Sequence, residues 1–163
     1  MVRSPARVAF PCVIVLLSLA VMTNAQSPPP PVPPEWQTHA EKTDYRETPR
    51  YEETMAYARK LAAATPLIRL TDFGRSGEGR ALPLMIAATN GTMTPQAARA
   101  AGKPVILIQA CIHAGETDGK DAGLALLRDI AVTKTRAGLL DRAVVLFIPS
   151  YNTDGHERFS PYN

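Results

Sequence analysis

The 163 residues, 45% hydrophobic and 20% charged, have the composition of one folded domain, which excludes a chain disordered throughout. The formal charge of +3 falls to +1 once residues 1–25, which hold Arg3 and Arg7 and no acid, are set aside. That balance excludes the clustered basic face of a nucleic-acid binder.

Residues 1–25 read as an export signal. Arg3 and Arg7 supply the positive end, Val8 to Met22 the apolar stretch, and Thr23-Asn24-Ala25 the small-residue cleavage site. Pro11 interrupts the stretch, which is shorter than the roughly 20 residues a spanning helix needs. The expectation is a mature chain beginning at Gln26, exported to a periplasmic or extracellular space, with no stable membrane anchor after cleavage. Cys12 leaves with the signal and Cys111 is then alone, so no internal disulfide can form.

Residues 26–44 read as a proline-rich linker, because "SPPPPVPP" at 27–34 lacks donors and favours an extended polyproline conformation. Trp36 and His39 within it are expected to pack at a surface or an edge. The domain proper spans 45–163. Its first helix starts at Thr48-Pro49 and carries Tyr51, Met55, Ala58 and Ala62 on one stripe before Thr65-Pro66. Strands at Leu67 to Phe73 and Leu82 to Ala88, joined by the glycine-rich "GRSGEGR" at 74–80, predict a hairpin whose second strand is the more central.

A short helix from Thr94-Pro95 to about Gly102 precedes a buried strand from Val105 to Cys111. The next helix runs from Thr117 or Asp118 to about Val132, with Ala122, Ala125, Leu126 and Ile130 facing inward. "AVVLFIP" at 143–149 is a further buried strand, whose far edge is expected to lie open. The strand-helix-strand unit predicts a right-handed crossover between parallel strands. The fold class is therefore α/β, a mixed parallel and antiparallel sheet flanked by helices.

Parallel strands bring their carboxyl ends to one rim, where open α/β folds place ligands. Those ends carry "HAGETDG" and "SYNTDGHER". His113 and Glu116 are three apart, so one turn at the strand end can aim an imidazole and a carboxylate at one ion, and Ala114 and Gly115 leave room for an approaching ligand. The same residues also suit a polar turn in which Glu116 serves the start of the following helix. Spacing alone leaves both readings open.

"GRSGEGRALPLMIA", "VILIQACIHAGETDGKDAGLALL" and "VVLFIPSYNTDGHERFSPYN" together resemble, in order, the amino-terminal half of the catalytic domain of the zinc carboxypeptidases, the M14 metallopeptidases. The resemblance spans roughly residues 45–163. It implies a carboxypeptidase-like fold and Zn2+ as cofactor, with His113 and Glu116 as the first two ligands and Asn152 to Gly155 as the Asn-Pro-Asp-Gly element. Thr153 stands where the family usually has proline, which should soften that turn without moving it. Gly115 stands where the digestive carboxypeptidases carry an arginine, so their subsite contacts do not transfer.

The third ligand, the carboxylate-gripping arginines and the general-base glutamate of the family lie beyond the stretch that matches, so the catalytic base is expected beyond Asn163. The chain as it stands then reads as a truncated enzyme with an incomplete site and weak or no activity. His156 shares the rim but follows the turn rather than occupying the family's ligand position, and a structural or surface role is expected for it. Asp118 and Asp121 are read as first-turn residues complementing the helix dipole, and Glu157 and Arg158 as solvated charges with room for peptide contacts.

The resemblance implies an exported metallocarboxypeptidase acting on peptides, cell-wall peptides among them. A zinc-dependent deacylase of N-acyl amino acids is the alternative within the same superfamily. An exported, non-catalytic module that binds peptide or cell wall is the alternative outside it.

Overall fold

The computed structural model describes residues 30–89 and 91–158. The expected export signal and the first part of the proline run lie outside the described residues. A 3-10 turn at Pro34–Trp36 leads to α1 (His39–Lys42), α2 (Tyr51–Ala64), β1 (Ile68–Arg75), β2 (Ala81–Ala87), α3 (Pro95–Ala100) and β3 (Val105–Gln109). Then come α4 (Asp118–Ala131), α5 (Leu139–Arg142), β4 (Val144–Ile148) and α6 (Thr153–Arg158). No helix among the described residues is long and apolar enough to cross a membrane.

The four strands form one sheet in the order β1-β2-β4-β3. β1 and β2 are the antiparallel hairpin expected around residues 74–80, with Ile68 opposite Ala87 and a register shift near the turn. β2 also pairs antiparallel with β4, and β3 pairs parallel with β4 from Val105 opposite Val144 to Gln109 opposite Ile148. The sheet is therefore mixed, as the sequence predicts.

α2 and α4 cover one face. Ala58 and Leu61 of α2, with Leu124, Leu127 and Ile130 of α4, meet Ile68, Met85, Val145 and Phe147 of the sheet. Burying each of the larger of these side chains contributes roughly 1.5–3 kcal/mol. The α4 contact is close enough to require glycine, because a Cβ on Gly123 would stand 2.2 Å from Phe147 Cζ. On the opposite face α3 places Ala98 against Ala88 and Val144.

Three expectations need correction. β3 is an edge strand, not a buried one, and Val105, Ile106 and Leu107 are 51%, 48% and 56% exposed. A continuous apolar run signals two covered faces, but of Val105 to Ile108 only Ile108 packs against the core, and no strand among the described residues lies beyond β3. For the same reason the open edge falls at β3, while the strand at 144–148 sits inside the sheet between β2 and β3. The inward face of α4 is also rotated. Ala122 is exposed and Ala125 and Leu126 only half-buried, whereas Lys120 and Arg128 are wholly enclosed. Pattern reading counts lysine and arginine as polar, but each of these cations finds acceptors inside.

The stretch read as a spacer is, from Pro34 onward, part of the packed body. Trp36 offers its carbonyl to the Tyr57 hydroxyl (2.6 Å) and to Arg128 (3.3 Å), and Lys60 Nζ lies 4.4 Å from the centre of its ring. Thr38 caps α1 through a reciprocal bond with Glu41, which also receives Arg128. α2 begins at Tyr51 rather than at Thr48, with Arg50 at the cap donating its N–H to Glu53 (3.3 Å), while the Thr48 hydroxyl donates to Asp121 Oδ2 (2.7 Å).

Candidate functional site

The last ladder bond of the β3 side runs from Ala110 N–H to the Ile148 carbonyl (2.9 Å), and Cys111 then takes φ +51°, which swings the chain off the sheet edge. A non-glycine residue in the left-handed region carries a modest strain, and such strain concentrates at sites where direction matters. The Cys111 thiol donates to the Glu116 carbonyl at 3.5 Å, and burial pushes its pKa up to about 11, so it remains a thiol. The Glu116 N–H closes the His-x-x-Glu turn on the His113 carbonyl at 3.0 Å. α4 follows from Asp118.

The loop after β4 is zipped to this one. Tyr151 N–H donates to the Ala110 carbonyl (3.0 Å) and Asn152 N–H to the Cys111 carbonyl (2.9 Å). The two strand-end loops thus meet on one rim, as parallel pairing requires.

Within that rim the predicted residues separate into two groups. His113 and Glu116 are both exposed, three residues apart on one turn, with no side-chain hydrogen bond among the described residues. One nitrogen and one oxygen donor are the ligand types zinc accepts. Among the described residues no third His, Cys, Asp or Glu converges with them. The donors present therefore fit part of a zinc shell.

Residues 74–80 and 152–155 are bound to each other instead. The Asp154 carboxylate accepts from the Ser76 hydroxyl (2.8 Å), the Glu78 N–H (2.9 Å) and Arg80 Nη1 (2.7 Å). Burial alone would raise this carboxyl, but those three donors and the Arg80 charge outweigh it and hold it below its ordinary value. Asn152 Oδ1 accepts from the Gly155 N–H (3.0 Å), and a Cβ on Gly155 would stand 2.6 Å from Asn152 Nδ2. A side chain at 155 would have to push the Asn152 amide aside. Thr153, in the place usually held by proline, starts α6 and is buried, its hydroxyl without a hydrogen-bond partner among the described residues.

His156 takes the structural role expected of it. It is fully buried on α6, with Nδ1 3.4 Å from the Ala114 carbonyl and Nε2 3.3 Å from Lys120 Nζ and 3.2 Å from the Pro49 carbonyl. Burial and the neighbouring Lys120 charge disfavour the imidazolium and push its pKa below the ordinary value.

Glu157 departs from the solvated role expected of it. Its Oε1 accepts from the Tyr51 N–H (2.8 Å) at the start of α2, where a carboxylate complements the helix dipole, and its carbonyl receives Arg50. Arg158 is exposed and paired with Glu78. Asp118 and Asp121 do lie in the first turn of α4, with Asp121 held by Thr48.

A groove of about 600 Å³ runs along α4 between Glu41, Tyr45, Arg46 and Asp121. Neither His113 nor Glu116 lines it. Sequence reasoning missed Lys120 altogether. The one available signal was its position four residues after Glu116 in the first turn of α4, where a cation opposes the helix dipole and needs a specific reason to be there.

Three kinds of comparison converge on this arrangement. The profile of the zinc carboxypeptidase family, Peptidase_M14, matches residues 54–162. A probable carboxypeptidase 2 of Trichophyton verrucosum is 36% identical over 90 residues, covering 54% of this chain and 17% of its own length. Carboxypeptidase 2 of Trichophyton rubrum is 32% identical over 107 residues, covering 64% and 19%. The chain thus spans about a fifth or less of these relatives. Among solved structures, carboxypeptidase A of Helicoverpa armigera superposes with a TM-score of 0.57 at 25% identity, covering 68% of this chain and 26% of that one. Thrombin activatable fibrinolysis inhibitor superposes with a TM-score of 0.60 at 16% identity, covering 76% and 32%, a likeness of fold alone.

Proposed function

The chain belongs to the zinc carboxypeptidase family, and on that premise we propose that it contributes two zinc ligands, His113 and Glu116, to hydrolysis of the carboxyl-terminal peptide bond of peptides. The observation that carries the reading is the exposed His-x-x-Glu turn at the carboxyl end of β3, beside the β4 loop, with both donor side chains uncommitted. Bound there, zinc would polarise a scissile carbonyl and acidify a water molecule. The chain's own part is orientation. The Glu116-to-His113 backbone bond fixes the spacing of the donors, and Gly115 between them adds no side chain.

Export belongs to the same reading and rests on Arg3, Arg7, the Val8 to Met22 stretch and Thr23-Asn24-Ala25. A peptide with a free carboxyl terminus is the substrate class, supported by the names of the relatives. The deacylase alternative is separated by assaying a peptide and an N-acyl amino acid side by side.

The test is zinc titration of the purified chain against a chromophoric chelator, with His113→Ala and Glu116→Ala in parallel. Saturable uptake that each substitution weakens by tenfold or more is expected. Uptake unchanged in both variants would remove these residues from the metal. Amino-terminal sequencing of protein recovered outside the cytoplasm tests export, with Gln26 as the expected first residue.

A further inference from the structure

The structure contains a buried cation beside a buried imidazole, directly behind the His113–Glu116 turn. Lys120 on α4 and His156 on α6 are both 0% exposed. Lys120 Nζ lies 2.5 Å from the Pro49 carbonyl, 3.4 Å from Thr54 Oγ1 and 3.3 Å from His156 Nε2, with Asp121 Oδ1 at 3.7 Å as its nearest countercharge. His156 Nδ1 faces the Ala114 carbonyl at 3.4 Å. Ala114, also 0% exposed, stands between the two residues proposed as zinc ligands.

Nε2 also lies 3.2 Å from the Pro49 carbonyl, so the ring contacts cannot all be hydrogen bonds of a neutral imidazole. With the proton on Nδ1 two of the three are met, Nδ1–H to the Ala114 carbonyl and Lys120 to Nε2, while Pro49 takes its hydrogen from Lys120; with the proton on Nε2 only the Pro49 contact is met. In the better-satisfied form Nε2 is an acceptor and needs a donor. Lys120 as an ammonium has three, one each for the Pro49 carbonyl, Thr54 Oγ1 and His156 Nε2. Thr54 can accept because its own proton goes to the Arg50 carbonyl at 2.8 Å. The neutral ring demanded here agrees with the lowered pKa of His156. Burying an ammonium is costly unless every proton is placed, and this arrangement places all three. The chain of bonds runs from the start of α2 through α4 and α6 to the backbone of the ligand turn.

We infer that His156, its tautomer fixed by Lys120, is a positioning residue that holds the Ala114 carbonyl and so sets the direction in which His113 and Glu116 project. This rests on the reading of those two residues as metal ligands for its functional meaning, while the structural claim stands on the turn alone. Metal affinity responds to such supports because a donor displaced by a fraction of an ångström no longer meets the ion at bonding distance, and losing an outer partner costs 10–100-fold.

The test uses the 163-residue chain and three variants. His156→Leu removes both ring contacts, Lys120→Met removes the ammonium but keeps the stem, and His156→Asn keeps a donor near the Nδ1 position. Hydrogen exchange is read at the Glu116 amide, which donates to the His113 carbonyl, with the Val145 and Phe147 amides of β4 as internal reference, and zinc affinity is read by chelator competition. His156→Leu and Lys120→Met should speed turn exchange about tenfold or more while β4 exchange stays put. Zinc affinity should fall by a similar factor, and His156→Asn should recover part of both. Turn exchange unchanged in His156→Leu and Lys120→Met, or rising only in step with β4, overturns the inference. Failure of the unaltered chain to take up zinc would sink the metal reading, and turn exchange would still decide the positioning claim.

Discussion

The rim carries two motif regions of opposite character. Around Asp154 the carboxylate is held by Ser76, Glu78 and Arg80 on one side, and the Asn152 amide caps the helix on the other. Around His113 and Glu116 only the backbone is bonded and the side chains face solvent. Both regions are short polar motifs at the ends of strands, yet one fastens the fold and the other leaves chemistry uncommitted. A residue that must bind something later cannot be satisfied by the protein first.

The contrast predicts that stability and metal uptake can be broken separately. Asp154→Ala strips the hairpin turn and the β4 loop of their shared acceptor and leaves the Ser76 hydroxyl and the Glu78 N–H without it. A cost of about 2–3 kcal/mol is expected, because charge-assisted bonds are lost and donors are left unpaired. Chemical denaturation measures it. A loss below about 0.5 kcal/mol, the usual size for a surface change, would mean that the lock is ornamental.

Gly155→Ala comes next. Its methyl would have to displace the Asn152 amide that caps α6, so the substitution gives up the cap, worth about 1 kcal/mol, against a smaller gain in helix propensity. A net loss of a few tenths of a kcal/mol, below about 1, is expected, because the propensity gain offsets part of the lost cap. An alanine variant as stable as the parent would show that Asn152 has another place to go.

Acid should unfasten the same side in two stages. His156 sits below its ordinary value of 6.5, so the unfolded chain binds a proton that the folded chain refuses, and stability declines as pH falls from about 6.5. Asp154 and Glu78 sit below their ordinary values of 3.8 and 4.5, so the stability they contribute is present above those values and is lost as pH falls below them and through the lowered folded-state values. Thermal melts across this range should show a shallow shoulder and then a steeper fall. His156→Leu should flatten the shoulder and Asp154→Asn the lower fall; a profile unchanged by either would contradict the assignment.

Most of the fold was legible because its signals are local. The hairpin, the parallel crossover and the strand at 144–148 follow from glycine placement and apolar runs, and the structure has them. What was not legible depends on partners remote in sequence. Nothing near Lys120 announces that Pro49 and His156 will enclose it, and nothing near Arg128 announces Glu41 and Trp36. The exposure of β3 was hidden for the converse reason, since an apolar run records the cover a strand is suited to rather than the cover it has. The site was half legible. His113 and Glu116 could be paired from three-residue spacing, whereas a ligand set drawn from distant positions has no local spacing to read.

The smallest expected effect on stability is the most telling one. His113→Ala and Glu116→Ala remove exposed side chains that hold nothing in the fold, so each should change the unfolding free energy by less than about 0.5 kcal/mol. Removing an anion near the amino terminus of α4 argues for a slight loss in Glu116→Ala, of the order of a few tenths of a kcal/mol and smaller in salt. His113 carries no such term, so the two variants should differ in that direction at low ionic strength and converge as salt is added. Both should nevertheless lose zinc. A clear loss of stability in His113→Ala without metal would mean that the imidazole is part of the scaffold, which would erase the distinction between the fastened side of the rim and the open one.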